Sequence, residues 1–170
     1  MSGHAAWFSD DRQYRYALLR CLDVGLFGEG NDRDINFIML NPSTADETLN
    51  DPTITRCIGF ARRWQYTSLI VTNLFAFRAT DPADMKRAAD PVGPENDDYI
   101  RRIATNCAAV VLAWGVHGVY QDRAASVLRL LNDAGVQPHC LGMTKAGHPK
   151  HPLYLHSTVQ MQPYGGEGER

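Results

Sequence analysis

Four short apolar runs in this chain each end on side chains that can do chemistry. "INFIML" delivers Asn41, Pro42, Ser43 and Thr44, and "SLIVT" delivers Asn73 and, further on, Arg78. "AAVVLA" delivers Trp114, Gly115 and His117, and "VQPHCL" runs into "GMTKAGHPKHPLYL" (142–155), which holds Lys145, His148 and His151. A carboxamide carries a donor and an acceptor side by side, which suits the Watson–Crick edge of a base, and an indole can stack on its face. His148 and His151 can donate to a developing oxyanion, while Lys145 and Arg78 can hold a phosphate. Taken together, the set describes a site for a nucleobase-containing ligand.

Each residue also has a plainer reading. Asn and Pro are common turn residues, so Asn41-Pro42 alone would be a strand-ending turn, and it is the convergence with Asn73 that lifts it. Trp114 reads first as a core aromatic and second as a stacking surface. Pro149 and Pro152 stiffen the loop that carries His148 and His151, which favours a shaped site. His148, His151 and His156 with Asp46 or Asp51 do not have the spacing of a zinc site, so neither a metal nor a cofactor is expected. "ENDDY" (95–99) places acids in the first turn of a helix, where the dipole favours them, and leaves Asp97 as a minor general-base candidate. "ARRW" (61–64) reads as a solvated helix face.

These residues share a rim only if the apolar runs are parallel strands, because open α/β sheets bind ligands beyond the carboxyl ends of their strands. The pattern between the runs supports this. Asp51-Pro52 is an N-cap and first-turn signal, followed by Ile54, Cys57, Ile58, Ala61 and Trp64 at helical spacing. "DPADMKRAA" reads as a short capped helix, Pro94 opens another through "ENDDYIRRIATNC", and Val119 to Ala134 forms a third long helix closed by Gly135. Strands that are apolar on both faces and alternate with helices predict a three-layer α/β domain with a mainly parallel, four-stranded central sheet. In "YRYALLRCLDV" (14–24) alternation of Tyr14, Tyr16, Leu18 and Leu22 competes with a helical spacing of Tyr14, Leu18, Leu19 and Leu22; the strand reading is favoured, and "GLFGEGNDRD" (25–34) reads as a wide hairpin connection into the first parallel strand, which gives an N-terminal β-hairpin. One domain spans residues 1–162, and 163–170, ending in "YGGEGER", reads as a disordered tail.

Composition sets the outer limits. The chain has 170 residues, 44% of them hydrophobic, and a formal charge of −2, which suits one globular core and neither supports nor excludes a nucleic-acid partner. Cys21, Cys57, Cys107 and Cys140 are widely spaced, with no CxxC pair to suggest a disulfide framework or a cluster. No apolar run reaches the length of a membrane span and no leader pattern opens the chain, so a cytoplasmic protein without membrane contact is expected.

"NPSTAD", "DPT", "NLFAFRATDP", "ND", "AWG" and "HPLYL" together resemble the motifs of a bacterial family known as domain of unknown function 1643. More remotely, "MLNPS", the Asn73 strand, "VVLAWG" and "HPLYL" are similar in order to the motifs of the uracil-DNA glycosylase superfamily. That likeness implies the superfamily's fold. It would make Asn41 the residue that positions the hydrolytic water, Asn73 the base reader, and His151 the stabiliser of the departing base. The Asp-Pro-Tyr form of the first motif, a phenylalanine platform and an iron–sulfur cysteine set are missing here. The expectation is a nucleobase- or nucleotide-binding domain able to hydrolyse an N-glycosidic bond. Its rivals are a binding module without chemistry, and a hydrolase or transferase acting on a small phosphorylated metabolite.

Overall fold

The computed structural model describes residues 3–22 and 33–165. Its strands are β1 (His4–Phe8), β2 (Arg15–Cys21), β3 (Asp34–Met39), β4 (Ser68–Asn73), β5 (Ala109–Leu112), β6 (His139–Cys140) and β7 (Gln162–Pro163). They form one sheet in the order β1-β2-β4-β3-β5-β6-β7. The four expected strands make its parallel centre, with Phe37 of β3 opposite Val71 of β4 on one side and Val111 of β5 on the other.

Period-two alternation decides what each face receives. Phe37 and Met39 face α1 (Pro52–Arg63), which packs through Ile54, Cys57, Phe60 and Ala61. Ile38 and Leu40 face the other way, against Ile100 and Ala104 of α3 (Asn96–Asn106) and Val127 and Leu131 of α4 (Arg123–Asp133). The short α2 (Pro82–Arg87) joins that second layer through Met85. The Asp51 carboxylate caps α1 by accepting from Ile54 N at 2.8 Å, and Asp81 caps α2 through Ala83 N. The chain thus leaves β3 for one face and β5 for the other, so β3 and β5 flank the topological switch point at which such sheets bind ligands.

Several expectations need correction. The sheet has seven strands, because β1 and β2 add to one edge and β7 to the other, all antiparallel. The N-terminal hairpin is β1–β2, and β2 pairs with β4 instead of β3. Residues 25–34 therefore do not join hairpin partners, and 25–32 lie outside the described residues. Strand β1 escapes a pattern reading because its "HAAWF" is half-exposed edge, with no apolar face to alternate. The helix expected from Val119 begins at Arg123. A 3-10 segment, Val116–Asp122, precedes it and breaks at Tyr120 and Gln121. That break lets the Tyr120 hydroxyl donate to Lys86 O at 2.9 Å. At the other end Pro163 is in β7 and Tyr164 N donates to Pro138 O, so the ordered fold runs past 162; residues 166–170 of the expected tail lie outside the described residues. No helix among the described residues is long and apolar enough to cross a membrane.

Candidate functional site

A cavity of about 500 Å³ opens at the carboxyl ends of β3, β4 and β5. It brings together Asn41, Ser43, Asn73, Trp114 and His151 from the expected set, between apolar walls that include Met39, Ile54 and Val71.

Asn73 is the most constrained of these. It ends β4, is 1% exposed, and neither Nδ2 nor Oδ1 of its carboxamide has a hydrogen-bond partner among the described residues. Buried polar groups are paired in the great majority of cases, and leaving one unpaired costs about 1–3 kcal/mol. The main chain beside it is by contrast fully held. Asn96 Nδ2 donates to the carbonyls of Asn73 (2.9 Å) and Leu74 (3.0 Å), and Arg123 Nε donates to Leu74 O at 2.7 Å. Arg123 in turn pairs with Asp97 at 2.5 Å. Asp97, a base candidate from sequence, is thereby a counter-ion in the support of Asn73. The "ND" at the start of α3 fixes the strand end and leaves the carboxamide free to meet a ligand.

The "NPSTAD" segment is a loop clamped from outside. Asn41 Nδ2 donates to Pro42 O (3.1 Å) and Ala79 O (2.7 Å), so both amide hydrogens are committed, and Oδ1 has no protein partner among the described residues. Asp46 closes the turn by accepting from Thr48 N and Leu49 N, bonds that hold its carboxyl below the usual range. Arg20, fully buried, donates to Asn50 Oδ1, Asp46 O and Leu49 O. Ser43 lines the cavity, whereas Pro42 is buried beside it and Thr44 faces solvent.

The segment after β6 turns back on itself. Met143 pairs with Pro149, and Thr144 N donates to His148 O, which leaves Lys145 at an exposed tip and His148 outside the cavity. Lys150 N donates to Gly142 O, so Lys150 and His151 reach the rim in their place. His151 Nδ1 accepts from Leu153 N at 3.3 Å, which fixes the neutral tautomer with its proton on Nε2. Burial pulls its pKa down, and Asp51 partly opposes this. Gly115, at φ +72°, donates its N–H to Pro149 O at 2.9 Å and ties the Trp114 rim to this segment. Trp114 is both core and lining: it is 2% exposed, packs with the α3 and α4 layer, and borders the cavity.

Arg78 is a structural cation. It stacks on Phe8 at 4.8 Å and donates to Arg12 O, away from the cavity. Besides Lys150, the cation that lines the cavity is Arg15, which alternation alone places on the wrong face. A register shift sets Trp7 opposite Ala17 but Phe8 opposite Arg15, so Tyr16 is an extra, bulged residue. Tyr16 stacks on Tyr99 of α3 at 4.9 Å, while Arg15 and Leu18 both face the α1 side. The sequence signal for Arg15 was an arginine within an apolar strand. Asp51, Thr53, Thr80 and Thr144 also border the cavity, and the sequence marked Asp51 as a cap and as a possible metal-shell acid, not as a lining residue. Among the described residues no group of three His, Cys, Asp or Glu could hold a metal ion.

Residues 15–153 match the family described as "Protein of unknown function (DUF1643)", and the chain belongs to it. No curated protein and no solved structure shows significant similarity.

Proposed function

We propose that this DUF1643 member binds a nucleobase-containing ligand at its strand ends, with Asn73 reading the base edge. The unpaired, buried carboxamide of Asn73 carries this reading, since a base supplies the acceptor and donor that it lacks. Trp114 offers the apolar surface beside it. The same cavity has the parts for hydrolysis of an N-glycosidic bond, as in the uracil-DNA glycosylase superfamily it remotely resembles. Asn41 Oδ1 and the Asp51 carboxylate can accept hydrogen bonds from a water, and His151 Nε2–H can donate to the base as it leaves with the bonding electrons.

Titration with nucleobases, nucleosides and single-stranded DNA, beside a base-release assay, tests both halves. Asn73→Asp should weaken binding by about 1–3 kcal/mol, because a donor is lost and a charge enters a dry pocket. His151→Ala should lower turnover on the order of 10²-fold with little change in binding, since the anion exists only near the transition state. If both variants leave nucleobase binding untouched and only lower melting temperature, the reading is wrong. A binding module without chemistry is the second reading. It is favoured by Asn41, whose amide hydrogens are both spent on clamping the loop.

A further inference from the structure

We propose that Arg15 is an anion anchor, so that the ligand of this cavity is a small phosphate monoester such as a nucleoside 5′-monophosphate, not a neutral base or nucleoside. The identity of the ligand's other end rests on the base-reading role of Asn73.

Among the described residues three arginines are almost fully buried, and only one of the three is left incomplete. Arg20 makes hydrogen bonds to four acceptors, and Arg123 binds Leu74 O and the Asp97 carboxylate. Arg15 is 2% exposed and, among the described residues, donates only from one terminal nitrogen, to Ala45 O at 2.7 Å, while its Nε has no partner there. No ion pair to Arg15 exists among the described residues. A guanidinium has five N–H donors, and an uncompensated buried charge is costly, so a cation held in this way fits an anion that arrives with the ligand.

The surroundings agree in sign. Burial lowers the Arg15 pKa to about 10, with Asp51 opposing and the cations Arg78 and Arg20 adding to the shift, so the group remains charged at neutral pH. Asp51 is the acid bordering the cavity, and one of its oxygens caps α1. Against it stand Arg15 and Lys150, with the Nε2–H of His151 as a further donor. A planar guanidinium suits bidentate phosphate recognition, and Lys150 can add a point charge. A guanidinium this deep is met by a group that enters the cavity, and about 500 Å³ lies in the range of small-molecule sites. The bulge at Tyr16 turns Arg15 inward, the sort of re-aiming that bulges provide beside active sites.

The test is calorimetric titration of the intact chain with four matched pairs: adenosine and AMP, guanosine and GMP, cytidine and CMP, uridine and UMP. For at least one pair the monophosphate should bind about tenfold or more tightly than its nucleoside, the scale of a charge-assisted bidentate contact. Equal affinities within every pair, or no binding of any monophosphate at millimolar concentration, would overturn the proposal. Arg15→Gln should abolish the preference for phosphate; a preference that survives in a folded variant overturns it. If that variant does not fold, the wild-type pairs still decide. Ribose 5-phosphate separates the two readings, because binding as tight as a mononucleotide keeps the anion anchor and removes the base reader. A short 5′-phosphorylated oligonucleotide distinguishes a strand end from a free nucleotide: tighter binding than the mononucleotide overturns the small-molecule assignment.

Discussion

Asn96 holds Asn73 by its main chain and not by its side chain: one carboxamide nitrogen spans the carbonyls of Asn73 and Leu74 at 2.9 and 3.0 Å. This division of labour explains how a strand can end in a rigid backbone and an unspent functional group. Were the Asn96 amide bonded to the Asn73 carboxamide instead, the ligand would have to break that bond. Preorganisation of this kind reduces what binding must spend on ordering the site.

Asn96→Ala should therefore act in two ways. It takes the Asn96 donor from the buried Asn73 carbonyl and leaves Leu74 O to Arg123 alone, and should destabilise the fold by about 1–3 kcal/mol, read as a shift in the urea midpoint. It should also weaken ligand binding without touching the ligand. Asn96→Asp should be at least as harmful, since a carboxylate cannot donate to either carbonyl. Unchanged binding in a stably folded Asn96→Ala chain would show that Asn73 is fixed by other means.

Arg20 anchors the "NPSTAD" loop, so Arg20→Met should cost about 1–3 kcal/mol by leaving the Asp46 carbonyl without its donor and the Leu49 carbonyl with Asp46 N alone. Proteolysis within residues 42–50 should become faster in the native state. A variant with wild-type protease resistance there would show that the Asp46 turn holds the loop alone.

Gly118→Ala probes the indole. A Cβ at this position would run into Trp114 Cδ1 and lie 2.7 Å from its Nε1, so the ring must move or the 3-10 segment must shift. Overpacking of this sort costs about 1–3 kcal/mol. Because Trp114 borders the cavity, binding should fall together with stability, and tryptophan fluorescence should report the displaced ring. A loss of stability with unchanged affinity would assign Trp114 to packing alone.

What was legible in the sequence follows from how local each signal is. Strands β3, β4 and β5, the caps Asp51 and Asp81, and the rim positions Asn41, Asn73, Trp114 and His151 could be read because apolar runs and Pro-linked caps are short-range patterns. Arg15 could not, because one bulged residue reverses every later face assignment in β2, and the bulge is defined by its pairing with β1. Lys145 and His148 were exchanged for Lys150 because the tight turn at Thr144–His148, not sequence order, decides which residues reach the rim. Arg78 misled for a related reason: its partner, Phe8, belongs to an edge strand without an apolar pattern.

The last prediction concerns pH and His151. Burial lowers its pKa in the folded chain below the ordinary value of 6.5, with Asp51 opposing. In the unfolded chain the imidazole takes up its proton around that ordinary value. Between the two pKa values the unfolded state therefore holds more protons, and stability rises with pH. The contribution is present in full above pH 6.5 and is lost as pH falls from there through the folded-state pKa. Protonation also converts Nδ1 from acceptor to donor, which removes the hydrogen bond from Leu153 N and loosens the segment that carries Lys150 and His151. Urea unfolding at a series of pH values between 7 and the acid limit of folding should thus show a steeper loss for the wild type than for His151→Asn. The asparagine oxygen can take the place of Nδ1 as acceptor and does not titrate, so the variant keeps the contact and loses the pH dependence. Parallel stability curves for the two proteins would mean that His151 does not change its proton affinity on folding.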